Sequence, residues 1–456
     1  MSWAAEELKT ACLGDKRRNQ RLIKIVEDLS AMPQASVTQA ARDEAAVQGT
    51  YEFWANVRVK ATEILAAHRD STLERVAAQE IVLAVQDTTE LDFSEQPKKQ
   101  GLGALSKKDA QGLKVHSVLC VSPLGVPLGV LHQKVWAREK IKRTTGYQDR
   151  KRAIEQKESY RWLESDRLTQ QWIPQQKKVV TVADREADIY ELFAMPRREG
   201  SEFLIRACQP RGVKQTATDI GIESLQQAIS ETAACGELTL ELQRTSKRKP
   251  RTATLTVRFT SIVLQPPQQH SSLKPVRVQV VWAKEEQPPV GEKAIGWLLL
   301  TTLDVRDFEQ AERCLRWYSY RWLIERYHYT LKSGCRLEQL QLDRADRLER
   351  ALATYAIVAW RLLWLTYEAR RHPEQSVEGI LETPCWMALY FHIHQTTVPP
   401  EAPPSLSDCV RWIARLGGFL GRKSDGDPGV KTLWLGLQRL HDLAAMLQLL
   451  RPSLNE

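Results

Sequence analysis

The sequence lacks the features that define several large protein classes. Its most apolar stretch, 356–365, is interrupted by Arg361 and is much shorter than the ~20 residues that a membrane span requires. The first residues are charged and contain no apolar segment of the kind that directs secretion. Eight cysteines are scattered without a C-x-x-C pair, which argues against a structural zinc site or a disulfide framework. We therefore expect a cytoplasmic protein without a membrane segment.

Length and charge narrow the remaining classes. The 456 residues predict two or three domains, since a typical domain has about 150 residues. Hydrophobic residues at 43% and charged residues at 27% match an average globular chain and exclude a largely disordered, collagen-like or coiled-coil protein. Lysine and arginine together number 65 against 56 acidic residues, a net charge of +9. This excess permits a polyanionic partner without requiring one.

Both ends of the chain have helical patterns. Residues 1 to about 70 contain apolar residues at helical spacing, and four cations lie among residues 16–21 near a helix start. These cations form either a DNA-contacting face or an ordinary solvated helix face. A proline-rich linker at 398–404 precedes a C-terminal helix whose apolar face is too rich for a lone helix. That face is expected to pack on its own domain or on a second subunit.

The middle of the chain has strand patterns. Two short apolar runs, 81–85 and 178–183, are typical of strands buried on both faces. Between them, 115–121 and 126–136 predict a hairpin that turns at 122–125. Alternating segments between about 210 and 300 predict half-exposed antiparallel strands, which we assign to a separate sheet. A helical pattern returns at about 307–371.

Each buried strand run leads into a carboxylate, Asp87 after the first and Asp184 after the second. Side chains at the carboxyl ends of buried strands project into the crevice where open α/β sheets bind ligands, so both are candidate site residues. Either aspartate taken alone is also explained by a cap on the following turn, as Asp commonly provides. Four neighbouring acids compete for the same role: Glu90, Asp92, Glu186 and Asp188.

The segment 318–332 carries a denser set of polar groups. On a continuous helix, Tyr318, Arg321, Glu325 and Lys332 would share a stripe about 60° wide and about 21 Å long. An exposed helix face with salt bridges would have the same pattern. One acid flanked by cations and a phenol nevertheless suits a metal-binding carboxylate beside a phosphate backbone.

Asp87, Asp184 and Glu325 together form the kind of donor set that a hard divalent cation requires. Mg²⁺ takes one or two carboxylates per ion and completes its coordination with water and phosphate oxygens. A pair of such ions supports phosphoryl transfer without a side-chain nucleophile. We therefore expect two Mg²⁺ ions, with Mn²⁺ as a substitute.

These motifs resemble the DDE transposases of the bacterial insertion sequence four (IS-four) family, of the transposon-five type. The resemblance lies in the segments 86–89 and 183–189 and in the pattern Tyr318-x2-Arg321-x3-Glu325-x6-Lys332. It extends through 13–18, 115–119, 296–301 and 416–422, which covers nearly the whole chain. The resemblance implies an α/β RNase H-like catalytic core, a mixed sheet flanked by helices, with a β-rich insertion and helical terminal domains.

The resemblance also implies roles for individual residues. It assigns Asp87, Asp184 and Glu325 to the metal site, and it assigns further residues to DNA: Arg17, Arg18, Arg21, Arg206, Trp297, Tyr318, Arg321 and Lys332. Trp297 matches a family tryptophan that stacks on a flipped base, although a tryptophan before three leucines is also typical of a core. Some relatives carry a lysine where this chain has Cys208. The basic run 244–251 predicts a solvated hairpin tip or a second DNA contact.

The resulting hypothesis is a cut-and-paste transposase. It would bind terminal inverted repeats, cleave both ends in a synaptic homodimer, and join the 3′ hydroxyls to target DNA in the bacterial nucleoid. We expect an N-terminal DNA-binding domain (1–70), a catalytic domain (71–372, insertion at about 210–300) and a C-terminal dimerisation domain (373–456). Two alternatives are a catalytically inactive DNA-binding regulator derived from such an enzyme and a metal-dependent nuclease without strand joining.

Overall fold

The computed structural model describes residues 2–41, 43–139, 152–215, 221, 223–242, 250–268, 271–423 and 425–450. The chain divides into two compact units. The first comprises Met1–Ala78, Thr88–Lys140 and Leu323–Glu456, and the second comprises Gln79–Asp87 and Ile141–Trp322. Each unit therefore combines segments that are distant in sequence.

The helices and strands follow the predicted order. The helices are α1 (Trp3–Glu7), α2 (Lys16–Ala31), α3 (Val37–Ala41), α4 (Glu44–Ala55), α5 (Ala61–Ala77), α6 (Tyr160–Trp172), α7 (Tyr190–Ala194), α8 (Leu225–Ser230), α9 (Phe308–Ser319), α10 (Trp322–Tyr329), α11 (Ala345–Arg371), α12 (Thr383–His394), α13 (Leu406–Leu416) and α14 (Val430–Leu450). The strands are β1 (Ile81–Asp92), β2 (Gly103–Ala104), β3 (Gln111–Val121), β4 (Pro127–Trp136), β5 (Lys178–Ala183), β6 (Ser201–Arg206), β7 (Gly212–Lys214), β8 (Glu223–Ser224), β9 (Gly236–Leu242), β10 (Arg251–Leu264), β11 (Val276–Lys284) and β12 (Gly296–Thr301). The chain has helical segments at both ends and a mixed sheet with helices in its middle, which confirms the predicted α/β fold class.

The first unit is organised around α11. Nearly every side chain from Leu348 to Leu365 is buried, as the apolar stretch at 356–365 predicts. Helix α11 contacts α2, α4 and α5, strand β4, and the C-terminal helices α13 and α14. None of the helices in the described part of the chain combines the length and the apolar character that crossing a membrane requires.

A buried ionic cluster fixes α1 against α5. The carboxylate of Glu7 accepts bonds from Arg75 at 2.8 and 2.9 Å, and His68 Nδ1 lies 2.6 Å from it. The amide of Val130 donates to His68 Nε2 at 2.9 Å. Because Nε2 accepts this bond, the His68 proton resides on Nδ1 and the ring is neutral. Burial lowers the pKa of His68, against the opposing effect of Glu7.

The second unit is built on a mixed sheet. Strands β1, β5 and β6 are parallel neighbours, and β12 pairs antiparallel with β6. On one face a hydrophobic cluster that includes Phe203, Ile205 and Leu300 packs against α6, α7 and α8. Helix α9 contacts β5, β6, β10 and β11. The parallel strands therefore have their carboxyl ends at the same edge.

The prediction of a separate sheet at 210–300 is wrong. β11 pairs with β12, β10 pairs with β11, and β9 and β7 pair with β10, so these strands extend the sheet from β6 outward. The alternation correctly predicted half-exposed antiparallel strands. The alternation does not show which strand of the sheet they join, because they join it through the pairing of Arg206 with Leu299, two residues at opposite ends of the insertion.

The continuous helix predicted over 318–332 is also wrong. Helix α9 ends at Ser319, and the amides of Tyr320 and Arg321 donate three residues back, at 3.1 and 3.0 Å, which tightens the last turn. Helix α10 begins at Trp322, and residues 330–334 form a π-helical turn that closes with a 2.8 Å bond from Cys335 N to Thr330 O. These departures from α-helical spacing remove the single 60° stripe that a straight helix predicts.

Candidate active site

A row of charged side chains crosses the carboxyl ends of three parallel strands. The β1–β5 register pairs Val85 with Val182, and the β5–β6 register pairs Ala183 with Ile205. Extended by one or two residues, the same registers place Asp87, Asp184 and Arg206 side by side. Neighbouring strands lie about 4.8 Å apart. The two aspartates predicted from sequence are therefore adjacent in the second unit, with an arginine next to them.

The row lies on the face opposite the hydrophobic cluster. Side chains alternate along a strand, and Ala183 and Ile205 both belong to that cluster. Asp184 and Arg206 follow them directly and so point to the other side. Asp184 also caps the turn Arg185–Ala187 by accepting from Glu186 N at 2.9 Å. The capping role considered from sequence is real and coexists with the site position.

Arg161 is a site neighbour that the sequence analysis missed. Its guanidinium is buried and donates to Glu186 at 2.6 Å and to the carbonyl of Glu158 at 2.9 Å. Burial lowers the pKa of Arg161, whereas Glu186, Asp184 and Asp87 act to raise it. A buried cation thus offsets part of the negative charge of the two aspartates. Its position on α6 gave no signal, because Arg161 looks like one more charged residue of an amphipathic helix.

Tyr318 is buried close to the guanidiniums of Arg206 and Arg321. Its side chain is 2% exposed, and among the described residues its hydroxyl has no hydrogen-bond partner. Burial raises the pKa of this hydroxyl, while the positive charges of Arg321 and Arg206 oppose the rise. The Arg321 guanidinium lies 5.9 Å from the Tyr318 ring and 5.1 Å from the ring of the exposed Trp322. A buried hydroxyl beside two guanidiniums can donate to a phosphate oxygen.

Trp297 is half-buried at the start of β12 rather than in the core. Its ring lies 5.7 Å from that of Tyr318 in an edge-to-face arrangement. The next leucines of the strand, Leu299 and Leu300, are fully buried. The structure therefore brings together four of the residues that the sequence singled out for DNA: Arg206, Trp297, Tyr318 and Arg321.

Glu325 and Lys332 belong to the first unit. Glu325 is half-buried on α10, and Lys332 lies in the π-helical turn. The ammonium of Lys332 donates to the carbonyl of Glu90 at 2.8 Å and lies 3.6 Å from Glu338. Nearby, His328 is buried, and burial lowers its pKa to about 3. The approach of Glu325 to the two aspartates remains a prediction.

The predicted N-terminal cations lie on α2. Arg17 is exposed at its start, where Asp15 caps the helix by accepting from Arg17 N at 2.8 Å. Arg18 and Arg21 are half-buried, and Arg18 donates to the carbonyl of Leu13. Most of the basic run 244–251 lies outside the described residues. Its last member, Arg251, pairs with Glu285, with one contact of 2.9 Å.

The competing acids have other partners. Glu90 accepts from Ser106 and lies 3.4 Å from Lys114, and Asp92 accepts from Ser94. Asp188, which the sequence presented as a helix-start acid, is buried and binds the loop after β6. Its carboxylate accepts from the amides of Cys208 and Gln209 at 2.6 and 2.7 Å and from Arg211 Nε at 2.8 Å. Asp188 therefore connects the turn after Asp184 to the loop after Arg206.

The two aspartates fit a hard cation. They supply carboxylate oxygens from adjacent strands, which are ligands that Mg²⁺ prefers over softer donors. Among the described residues, no group of three or more His, Cys, Asp and Glu side chains could hold a metal ion. The donor chemistry thus agrees with a divalent ion at Asp87 and Asp184, and the identity of that ion is part of the proposal below.

Comparison with known protein families agrees with this geometry. A family model described as "Transposase DDE domain" matches residues 85–361, more than half of the chain. The chain belongs to the DDE transposase family. Two further models match the transposase at its ends, "Transposase DNA-binding" at residues 1–59 and "Transposase Tn5 dimerisation domain" at residues 357–450.

These matches confirm the resemblance to transposon-five-type enzymes of the IS-four family. The protein is a DNA transposase with an RNase H-like DDE domain, a DNA-binding domain and a dimerisation domain. Its partners accordingly include DNA and a second copy of the chain. The dimerisation match covers a helical cluster in which α12, α13 and α14 pack together through residues that include Leu389, Ile413 and Leu433.

Proposed function

We propose that this transposase works by a cut-and-paste mechanism on bacterial DNA. It binds the terminal inverted repeats of its element, cleaves both ends in a synaptic dimer and transfers the 3′ hydroxyls to target DNA. The observation that supports this most directly is the row Asp87–Asp184–Arg206 beside the buried Tyr318 hydroxyl. Carboxylates for a metal and donors for a phosphate lie on the same face of one sheet.

In this proposal Asp87, Asp184 and Glu325 hold the divalent ions, with Mg²⁺ as the natural ion and Mn²⁺ as a substitute. When bound, such ions activate an attacking oxygen and stabilise the leaving oxygen of a phosphodiester. Arg206 and Arg321 offset the negative charge that the phosphate gains, and Tyr318 donates to one of its oxygens. Lys332 contacts the same DNA backbone, and Trp297 stacks on a base flipped from the element end.

The N-terminal cations have a separate role in the proposal. Arg17, Arg18 and Arg21 on α2 contact the terminal repeat. The proposed domain boundaries remain 1–70, 71–372 and 373–456. Arg17 is the most exposed of the three and is the best placed for a phosphate. Contacts of this kind make DNA binding depend on the salt concentration, because each phosphate that an arginine neutralises releases a condensed counterion.

Substitutions that remove the charge of two of the three acids test the proposal. We expect Asp87→Asn and Glu325→Gln to abolish Mg²⁺-dependent cleavage of a duplex carrying the inverted repeat that flanks the gene, while binding of that duplex is retained. Glu80→Gln is the matched control, because Glu80 is exposed at the opposite end of β1, about 23 Å from Asp87 along the strand. Its cleavage rate should equal that of the wild type.

The alternatives give different results in the same assay. A wild-type protein that binds the ends but never nicks them would indicate a regulator and would overturn the enzymatic proposal. Cleavage without any joined product in the presence of a target plasmid would indicate a nuclease. Cleavage that survives Glu325→Gln would remove Glu325 from the metal site.

A further inference from the structure

A cationic cleft lies at the end of the β11–β12 hairpin, within the second unit. It has a volume of about 560 Å³, and its lining includes Arg185, Arg206, Lys284 and Lys293. None of the described residues that line it is acidic. Arg185 and Lys293 are exposed. Four cations line this cleft, and of them Lys284 is paired with Glu286, which is not among the lining residues. A concentration of positive charge of this kind favours a polyanion.

The cleft also has an aromatic wall. Trp282 is half-buried there, with Lys284 Nζ at 5.1 Å and the Arg258 guanidinium at 5.8 Å from its ring. Glu286 pairs with these two cations at 3.2 and 2.8 Å. Phosphate oxygens can replace the Glu286 carboxylate in such contacts, since both present anionic oxygens to the same donors.

Trp282 and Trp297 belong to opposite faces of the sheet. The register pairs Trp282 with Leu298 and Ala283 with Trp297, and directly paired residues share a face. Trp282 and Leu298 pack against the hydrophobic cluster, whereas Trp297 packs edge-on against Tyr318. Both tryptophans line the cleft, but from opposite faces of the sheet, so Trp282 is an aromatic surface additional to the one that the family resemblance implies.

The cleft continues into a groove. A second cavity of about 210 Å³ shares Ala207, Gln226 and Leu298 with it and extends along the loop after β6. The groove passes Arg185, which directly follows Asp184 in sequence. An extended ligand lying in it would therefore pass close to one proposed metal ligand.

We propose that this groove binds an unpaired DNA strand, with phosphates on Arg185, Lys284 and Lys293 and a base against Trp282. An aromatic surface requires a base whose face is free, and duplex DNA hides those faces in its stack. The proposal rests on the proposed function, in that strand separation at the element end supplies the unpaired nucleotides. It adds a second binding surface to that function.

Binding of a fluorescein-labelled (dT)12 strand and of a 12-bp duplex to the full-length protein, without divalent metal, tests the proposal. Trp282→Ala should weaken (dT)12 binding by about 5- to 150-fold, as expected for loss of base stacking. Trp282→Phe should restore most of it. Lys293→Ala should reduce the slope of log affinity against log salt by about 0.7, the value for one phosphate contact on a single strand.

Lys178→Ala is the matched control, since Lys178 is exposed at the start of β5, about 20 Å from Asp184 along the chain. It should leave (dT)12 binding unchanged. Equal losses on the strand and the duplex with Trp282→Ala would overturn the proposal, and so would unchanged (dT)12 binding in a folded variant. Because the assay contains no metal, its result is independent of whether the protein cleaves DNA.

Discussion

Tyr318→Phe separates the role of the Tyr318 hydroxyl in DNA binding from any role in folding. The side chain is 2% exposed, and its hydroxyl has no hydrogen-bond partner among the described residues. A buried polar group without a partner costs about 1–3 kcal/mol of stability. Removing the oxygen should therefore raise the unfolding free energy by about 1 kcal/mol rather than lower it.

The effect on DNA should have the opposite sign. If the hydroxyl donates to a phosphate oxygen, its loss removes a hydrogen bond to a charged group, worth about 1.5–3 kcal/mol. That corresponds to a roughly 10- to 150-fold loss in affinity for the cleaved end. Arg206 and Arg321 remain in place, so the residual binding should keep the salt dependence of the wild type.

Two measurements are needed on the same preparation. Urea unfolding gives the stability difference, and fluorescence anisotropy with a pre-cleaved duplex end gives the affinity. Phe at position 318 keeps the edge-on packing with Trp297, so a change in shape does not confound the comparison. A variant that is less stable than the wild type, or one that binds the end with unchanged affinity, would contradict the proposed role of the Tyr318 hydroxyl.

Two further predictions concern buried ionic groups. Since the pKa of His68 is lowered in the folded state, native His68 stays neutral while the unfolded chain takes up a proton below about pH 6.5, so stability should fall as the pH falls. In urea unfolding between pH 7.5 and 5, the unfolding free energy of His68→Gln should depend less on pH than that of the wild type, by up to about 1.4 kcal/mol per pH unit. Parallel plots of unfolding free energy against pH for the two proteins would contradict a neutral buried His68. For the buried pair Asp188–Arg211, Asp188→Asn and Arg211→Met should each cost about 3 kcal/mol. The double variant should cost less than their sum by more than 1 kcal/mol, and additive losses in urea unfolding would show that the two do not interact.

Local sequence was sufficient for features that depend on neighbouring residues. The apolar runs at 81–85 and 178–183 predicted buried strands, and the residues after them predicted strand-end carboxylates. Parallel strands in the same register place residues at equivalent positions side by side. The sequence therefore predicted the strand-end positions of Asp87 and Asp184, and the pairing of β1 with β5 in the structure makes the two adjacent.

Features that depend on distant pairing were not accessible in this way. The β-rich insertion joins the sheet through β12 and β6, a contact between residues about ninety positions apart that strand alternation does not encode. Arg161 lies at the site because its guanidinium reaches Glu186 in the turn after β5. Asp188 is a buried ion-pair partner because it contacts Arg211 in the loop after β6. The sequence does not distinguish these two residues from other charged residues, because it does not identify their partners.

The amino-acid sequence was enough to predict the residue types at the candidate site, which are strand-end carboxylates and a helical motif with cations and a phenol, and to predict a transposase from family likeness. Tertiary structure alone decided which groups are buried and what they face. The burial of the Tyr318 hydroxyl and the Trp282 cleft both arise from packing between residues far apart in the chain. Burial strengthens electrostatic interactions by excluding water, so the same residue types acquire their function only where the fold encloses them.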